Sequence, residues 1–148
     1  MSWCDAASTL GSQMIEVDIE RRLGAFQLSV KLSVSQQTLV LFGPSGSGKS
    51  QTLSAIVGLS RPDRGRIVID DDVLFDSERG IDVPSESRRV GYVPQGYALF
   101  PHLTVVENVA FGLHRLPRAE ARRRTQEAIA LLRLEGMESH RINHISGG

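Results

Sequence analysis

The sequence predicts an α/β fold, and three patterns along the 148-residue chain support that class. Apolar and polar residues alternate over 15–20 and again over 26–34, which is the period of half-buried strands. A continuous apolar run, TLVLF at 38–42, then precedes a glycine-rich loop and a stretch with helical spacing. From about Thr104 to residue 134 the apolar spacing is again that of helices.

The first elements follow from their local patterns. Residues 1–13 show no period and are expected to form a disordered leader, with ordered structure from Met14. The two alternating strands are expected to be antiparallel and joined by a turn at residues 23–25, where Gly24 stands. The run at 38–42 suits a central strand buried on both faces, because such strands are apolar throughout.

The later elements are predicted in the same way. The helix after the glycine loop is expected to end at Gly58, with Pro62 just beyond it. Further strands are predicted at 66–69 and 89–94, and residues 118–134 are predicted to form one amphipathic helix. The expected apolar side of that helix consists of Ala128, Ile129, Leu131 and Leu132. The run Arg122, Arg123, Arg124 is expected to lie on its solvated face.

Composition excludes several function classes. Seventeen basic and seventeen acidic residues balance, so the chain has no overall field that would hold nucleic acid or an anionic membrane. The single cysteine, Cys4, excludes an internal disulfide. No apolar run reaches the roughly 18 residues of a bilayer-spanning helix, so a cytoplasmic protein is predicted.

The glycine loop carries the chemistry. Its residues fit the pattern G-x-x-x-x-G-K-[ST] and lie between a predicted strand and a predicted helix. They are Gly43, Pro44, Ser45, Gly46, Ser47, Gly48, Lys49 and Ser50, and Gln51 follows them. Such a loop turns backbone N–H groups toward phosphates at a helix N-terminus. Lys49 would reach the β- and γ-phosphates and the Ser50 hydroxyl would bind Mg²⁺, so the sequence predicts a site for a nucleoside triphosphate with Mg²⁺.

Two further stretches narrow the class. Residues 88–113, RRVGYVPQGYALFPHLTVVENVAFGL, together with the terminal ISGG, closely resemble the nucleotide-binding domain of ABC transporters. The resemblance covers about 15–148 and implies a P-loop NTPase core, an N-terminal antiparallel β-subdomain and the start of a helical subdomain. Residues 14–148 would then be the N-terminal part of one ABC-type ATP-binding domain, which breaks off inside the LSGGQ signature.

The resemblance also implies roles for single residues. Gln95 would contact Mg²⁺ or the attacking water and would act in catalysis with Lys49. The segment Leu99-Phe100-Pro101-His102 would border the groove for a permease helix. Ser146, Gly147 and Gly148 would serve ATP held by a second subunit in a head-to-tail homodimer, with ATP and Mg²⁺ as cofactors.

The implied assembly is an importer. Its partners would be a second ATP-binding subunit, transmembrane permease subunits and, indirectly, a substrate-binding protein, at the inner face of the cell membrane. The stretch LFDSERGIDVPSESRRVGYVPQ is most similar to molybdate-type importers, and next to importers of other oxyanions or polyamines.

This sequence departs from the family pattern at one position. Leu23 stands where an aromatic residue usually stacks on adenine, and Phe26 nearby is expected to be a core residue. Residues 67–71 end in two carboxylates but are expected to be a strand and turn away from the site. The Walker B Asp, catalytic Glu and switch His lie beyond the signature in this family, so residues 1–148 alone are expected to bind nucleotide weakly with negligible turnover.

Two other classes stay open at this point. The first is a non-hydrolysing nucleotide-binding module. It would have the same residues as the transport ATPase, and the two hypotheses differ only in where the gene ends. A small P-loop kinase, with residues 118–124 as an arginine lid, leaves Gln95 and the ISGG segment unexplained. The four histidines, at positions 102, 114, 140 and 144, lack the paired spacing of metal ligands.

Overall fold

A computed structural model describes residues 14–142 of the chain. The predicted leader, 1–13, and the signature residues Ser146, Gly147 and Gly148 lie outside the described residues. The described part divides into two compact units, residues 14–92 and 93–142. Among the helices of residues 14–142, none combines the length and apolar character that a bilayer crossing requires.

The first unit is built on a five-stranded antiparallel sheet in the order β2-β1-β3-β4-β5. Its strands are β1 (Met14–Leu23), β2 (Phe26–Ser35), β3 (Arg64–Ile69), β4 (Asp72–Asp76) and β5 (Ile81–Asp82). One helix, α1 (Lys49–Ile56), belongs to this unit, and a 3₁₀ turn covers Ser85–Ser87. The predicted hairpin is confirmed: Leu23 pairs with Phe26, and Gly24 takes the left-handed conformation that the tight turn requires.

The core of this unit lies between α1 and one face of the sheet. The fully buried residues come from three strands and the helix: Val17 and Ile19 of β1, Ile67 of β3, Phe75 of β4 and Ala55 of α1. The alternation that predicted β1 therefore identified its buried face correctly, because side chains two residues apart share one face of a strand. Burial of each large side chain stabilises the fold by about 1.5–3 kcal/mol.

The prediction of a central buried strand at 38–42 is wrong for this structure. These residues form no strand, and the exposed fractions are 76% for Val40 and 99% for Phe42. A central strand needs hydrogen-bonded neighbours on both sides. Within residues 14–142, no strand pairs with this segment.

The predictions for the two later strands of this unit had opposite outcomes. The strand at 66–69 is confirmed as β3, whereas 89–94 forms no strand. At the end of β3 the chain turns through Asp70 and Asp71 into β4, and the Asp70 carboxylate accepts a hydrogen bond from the Met14 N–H at 3.0 Å. The apolar run with two carboxylates is therefore a hairpin, as predicted.

The second unit is helical. It contains α2 (Val105–Ala110), a 3₁₀ turn over Phe111–Leu113 and α3 (Arg118–Leu131). Thr104 starts α2 with a capping box, in which its Oγ1 accepts from the Glu107 N–H and the Glu107 carboxylate accepts from the Thr104 N–H at 2.7 Å. The predicted helical start near Thr104 is thus confirmed.

The predicted apolar side of α3 is partly wrong. Ile129 is buried, and Thr125, one turn earlier, is buried with it. Leu131 and Leu132 are 84% and 59% exposed. Leu131 lies two residues after the buried Ile129 and therefore faces a different side of the helix, and Leu132 follows the last helical residue.

Candidate nucleotide-binding site

The glycine loop, residues 43–50, leads directly into α1, whose first helical residue is Lys49. Gly46 and Gly48 take positive φ values of 82° and 94°, conformations that favour glycine. The Ser47 N–H donates to the Pro44 carbonyl at 3.3 Å and closes the turn. A Cβ at Gly43 would lie 2.9 Å from the Ser47 Oγ, so a larger residue there would require the Ser47 hydroxyl to move.

The Lys49 ammonium lies against this loop. It donates to the carbonyl oxygens of Gly43 at 2.8 Å and Pro44 at 2.7 Å, and to the Ser47 Oγ at 3.3 Å. An ammonium has three N–H donors, so all of them are engaged by the loop that the lysine follows. A phosphate bound in the loop would compete for these donors as a charged acceptor, which forms the stronger hydrogen bond.

The start of α1 favours an anion. The first N–H groups of any helix have no partner inside the helix, and the helix dipole adds about half a positive charge there. In the described structure the N-cap residue of α1 is Gly48, no side chain accepts a hydrogen bond from the first N–H groups, and no acidic residue lies in the first turn. The Thr52 Oγ1 donates to the Gly48 carbonyl at 3.0 Å, which links the first turn of the helix to the end of the loop.

The tip of the β1–β2 hairpin packs on this loop. A Cβ added to Gly48 would lie 2.4 Å from the Leu28 Cδ1 and 3.4 Å from the Phe26 Cζ. Leu28 is buried, whereas Phe26 remains 39% exposed. The expectation that Phe26 is a core residue is therefore wrong: its ring lies beside the loop and the residue is partly exposed.

Gln51 is held toward the sheet. Its Oε1 accepts from the Arg21 guanidinium at 3.2 Å and from the Ser60 Oγ at 3.5 Å. Arg21 continues the buried face of β1 that carries Val17 and Ile19. Arg21 was not predicted as a site residue, although a charged residue on an otherwise apolar strand face was a usable signal.

The structure thus brings residues 43–51 together at one helix start, and it places the other predicted site residue in the second unit. Gln95 is exposed there, at a turn in which the Tyr97 N–H donates to the Pro94 carbonyl at 2.9 Å. Tyr97 and Ala98 both have left-handed backbone conformations.

The segment after this turn contains an aromatic pair and several exposed apolar side chains. The rings of Phe100 and Phe111 lie 4.2 Å apart between centroids. Phe111, Leu99 and Tyr97 are 53%, 50% and 72% exposed. The Asn108 side chain fastens the segment: its Oδ1 accepts from the Phe100 N–H at 2.9 Å and its Nδ2 donates to the Phe100 carbonyl at 3.1 Å.

The arginines of α3 pair within their own helix. Arg123 and Arg124 both bond to the Glu120 carboxylate, at 2.8 and 2.7 Å. Hydrogen bonds from Arg123, then from Arg124, lower the pKa of Glu120 to about 2. These contacts fit the predicted solvated face, and they engage two of the cations that an arginine lid would use.

Comparison with known proteins extends these observations. A family model described as ABC transporter matches residues 27–148. The molybdenum import ATP-binding protein ModC of Rhodospirillum rubrum is 47% identical over 135 residues, which cover 91% of this chain and 36% of that protein. The spermidine/putrescine import ATP-binding protein PotA of Methylococcus capsulatus is 48% identical over 114 residues, 76% of this chain and 28% of that protein. The chain therefore spans about a third of the length of these curated relatives.

The structural comparison agrees with the sequence comparison. The solved dimeric structure of a bacterial ABC transporter cassette matches with a TM-score of 0.63 at 28% identity. The match covers 90% of this chain and 63% of that one. The predicted fold class, an α/β P-loop core with an antiparallel β-subdomain and the start of a helical subdomain, is confirmed.

Proposed function

The chain belongs to the ABC transporter family, and we propose that it binds Mg²⁺-ATP at residues 43–51 as the ATP-binding part of an importer. The observation that carries this proposal is the glycine loop at the uncapped start of α1, with the Lys49 ammonium held against it at 2.7–2.8 Å from two carbonyls. Lys49 would exchange these carbonyls for oxygens of the β- and γ-phosphates, and backbone N–H groups of the loop would donate to the remaining oxygens.

Ser50 fits a role in holding Mg²⁺. Its side chain is exposed at the first turn of α1, and a hydroxyl is the kind of hard oxygen donor that this ion prefers. Magnesium usually keeps several water and phosphate oxygens, so one or two protein ligands suffice. The bound ion would neutralise charge on the phosphates, and the Gln95 amide would supply a second oxygen donor.

Hydrolysis is proposed to need a second copy of the domain. Ser146, Gly147 and Gly148 would donate to the γ-phosphate of ATP held by the partner's glycine loop, and Gln95 would orient the attacking water. The likeness to a dimeric cassette supports a head-to-tail homodimer. These roles are proposed for the whole protein. The curated relatives of this chain are about three times as long as the chain itself.

The permease contact is proposed for the segment Leu99-Phe100-Pro101-His102 with Phe111, because Leu99 and Phe111 are exposed and the Phe111 ring lies against that of Phe100. Exposed apolar side chains that lie close together mark interaction surfaces. A helix of a transmembrane subunit seated there would hold the ATP-binding subunit at the inner face of the membrane, with a substrate-binding protein acting on the same permease.

Molybdate is the proposed cargo, with other oxyanions next. The molybdenum import relative aligns with 91% of this chain, whereas the polyamine import relative, at nearly the same identity, aligns with 76%. The longer match supports molybdate, although the ATP-binding part does not itself touch the cargo.

Phe26 is proposed to contact the nucleoside. Its ring borders Gly48 and the residue is 39% exposed, which leaves part of the ring accessible for stacking on a flat base bound next to the loop. Leu23, which pairs with Phe26 across the hairpin end, offers only aliphatic contact. Replacing Phe26 with Ala should weaken binding of ATP and GTP about equally, because stacking reads no hydrogen-bond pattern.

The cargo can be tested in the source organism by changing the chromosomal codon of Lys49 to Ala. Cellular molybdenum at limiting external molybdate should fall to the level of a strain without the gene. Lys31→Ala is a matched control, since Lys31 is the other lysine of the chain and lies exposed on β2 in a surface pair with Asp18. Unchanged molybdenum in the Lys49→Ala strain, with lower sulfate or polyamine uptake, would assign the importer to a different cargo.

A further inference from the structure

Arg88 is buried, which is unusual for an arginine. Its side chain is 1% exposed, whereas the neighbouring Arg89 is exposed. It follows the 3₁₀ turn Ser85–Ser87, at a place where the sequence shows only two adjacent arginines. The proposed nucleotide chemistry uses neither of them.

The Arg88 guanidinium bonds to the end of α1. Its Nη1 donates to the carbonyl oxygens of Ala55 at 2.8 Å and Ile56 at 3.0 Å, which belong to the last turn of the helix. Its Nε donates to the Val83 carbonyl at 2.7 Å, and its Nη2 donates to the Asp82 carboxylate at 3.2 Å. One side chain therefore ties the C-terminal end of α1 to β5 and the residue after it.

Both charge and shape favour this arrangement. Carbonyl oxygens at a helix C-terminus carry about half a negative charge, so a cation there is stabilised. Burial lowers the pKa of Arg88, and the nearby Asp82 carboxylate opposes that shift. The planar fork can bond to the carbonyls and the carboxylate at once, which a lysine ammonium cannot do with the same geometry.

Gly58 makes room for the guanidinium. A Cβ at Gly58 would lie 2.6 Å from the Arg88 Nε and 2.9 Å from its Cζ. Gly58 also has a φ of 81° and follows Val57, the C-cap residue of α1. The absence of a side chain at Gly58 therefore leaves the space in which the Arg88 guanidinium contacts the C-terminal end of α1.

We propose that Arg88 is a positioning residue for the nucleotide site: it fixes the axis of α1, the helix whose other end forms the phosphate loop. The proposal rests on the proposed function. Helix α1 has eight residues, so its two ends are only about 12 Å apart. Because the helix is this short, a tilt released at its C-terminal end would also shift Lys49 and the loop N–H groups, and groups that position a reacting phosphate are sensitive to misplacements near 1 Å.

The test compares three variants of the full chain: Arg88→Met, Arg88→Lys and, as the matched control, Arg89→Met. The dissociation constant of Mg²⁺-ATP is measured by calorimetry well below each unfolding midpoint, and hydrogen exchange is followed for the amides of α1. We expect Arg88→Met to weaken binding at least tenfold and to speed exchange in α1. Arg88→Lys should restore part of the affinity, and Arg89→Met should stay within about twofold of the unchanged chain.

The outcomes separate the possibilities. Arg88→Met that is less stable but binds Mg²⁺-ATP like the unchanged chain overturns the proposal, because the role is then only structural. If Arg88→Met does not fold, Gly58→Ala takes its place, since it displaces the guanidinium without removing it, and undiminished affinity there overturns the proposal equally. If the unchanged chain fails to bind Mg²⁺-ATP, the proposed function fails and this inference fails with it.

Discussion

Replacing Gly48 with Ala tests whether the hairpin tip supports the phosphate loop. Gly46 and Gly48 both have positive φ, so an alanine at either position pays a backbone penalty of about 1–2 kcal/mol. The surroundings differ. A Cβ at Gly46 meets nothing within 4 Å, whereas a Cβ at Gly48 lies 2.4 Å from the Leu28 Cδ1. Gly46→Ala is therefore a matched control for the backbone term.

The packing term follows from the contact distance. Ordinary contact starts at 3.4 Å, so Leu28, which is 3% exposed, has to retreat by about 1 Å into a filled core. Overpacking of this kind costs about 1–3 kcal/mol. Gly46→Ala should lower the free energy of unfolding by about 1–2 kcal/mol, and Gly48→Ala by about 2–5 kcal/mol.

A double-mutant cycle assigns the difference to Leu28. Leu28→Val removes both δ carbons, so Gly48→Ala in that background should cost only the backbone term, with a coupling of about 1–3 kcal/mol. Urea unfolding followed by far-ultraviolet circular dichroism measures all four variants. Equal penalties for Gly46→Ala and Gly48→Ala, or no coupling to Leu28, would refute the packing of the hairpin on the loop.

Three further predictions concern the fold. Gly65→Ala places a Cβ 2.0 Å from the Asp18 carbonyl oxygen, whereas the Cβ of Gly80→Ala meets nothing within 4 Å. In urea unfolding, Gly65→Ala should lower the free energy of unfolding by about 3 kcal/mol more than Gly80→Ala does. Similar losses for the two variants would contradict the β1–β3 register. Thr104→Ala removes the capping box and should lower stability by about 1 kcal/mol in the same assay; no change would argue against the cap. The stabilisation by ionised Glu120 should be complete above pH 4.5 and should be lost as the pH falls through about 2. An NMR titration of the Glu120 carboxyl with a midpoint near pH 4.5 would contradict its pairing with the arginines.

Local patterns predicted the elements that are stabilised locally. The β1–β2 hairpin follows from two alternating stretches around Gly24, and every cross-strand partner lies within this short segment. The start of α2 follows from Thr104 and Glu107, because a capping box lies within four residues. The glycine loop was equally readable, since its conformation depends on its own glycines.

The remaining features depend on distant partners. The apolar run at 38–42 indicates neighbours on both faces but does not say which segments supply them, and its side chains are exposed in this structure. Leu131 and Leu132 were predicted on the apolar side of a helix over 118–134, but the helix ends at Leu131 and no distant segment within residues 14–142 covers either side chain, so both are largely exposed in this structure. Arg88 and Arg89 are indistinguishable in the sequence, and only the approach of α1 decides which one is buried.

The most direct test of the nucleotide site is the binding of Mg²⁺-ATP to the purified chain and to its two lysine variants, measured by calorimetry. The unchanged chain and Lys31→Ala should bind one equivalent with similar affinity, because Lys31 lies on the exposed face of β2. Lys49→Ala should bind at least tenfold more weakly, since it loses the ammonium that lies against the loop. Binding that is absent from the unchanged chain, or equal in Lys49→Ala, would contradict the assignment of residues 43–51 as the nucleotide site.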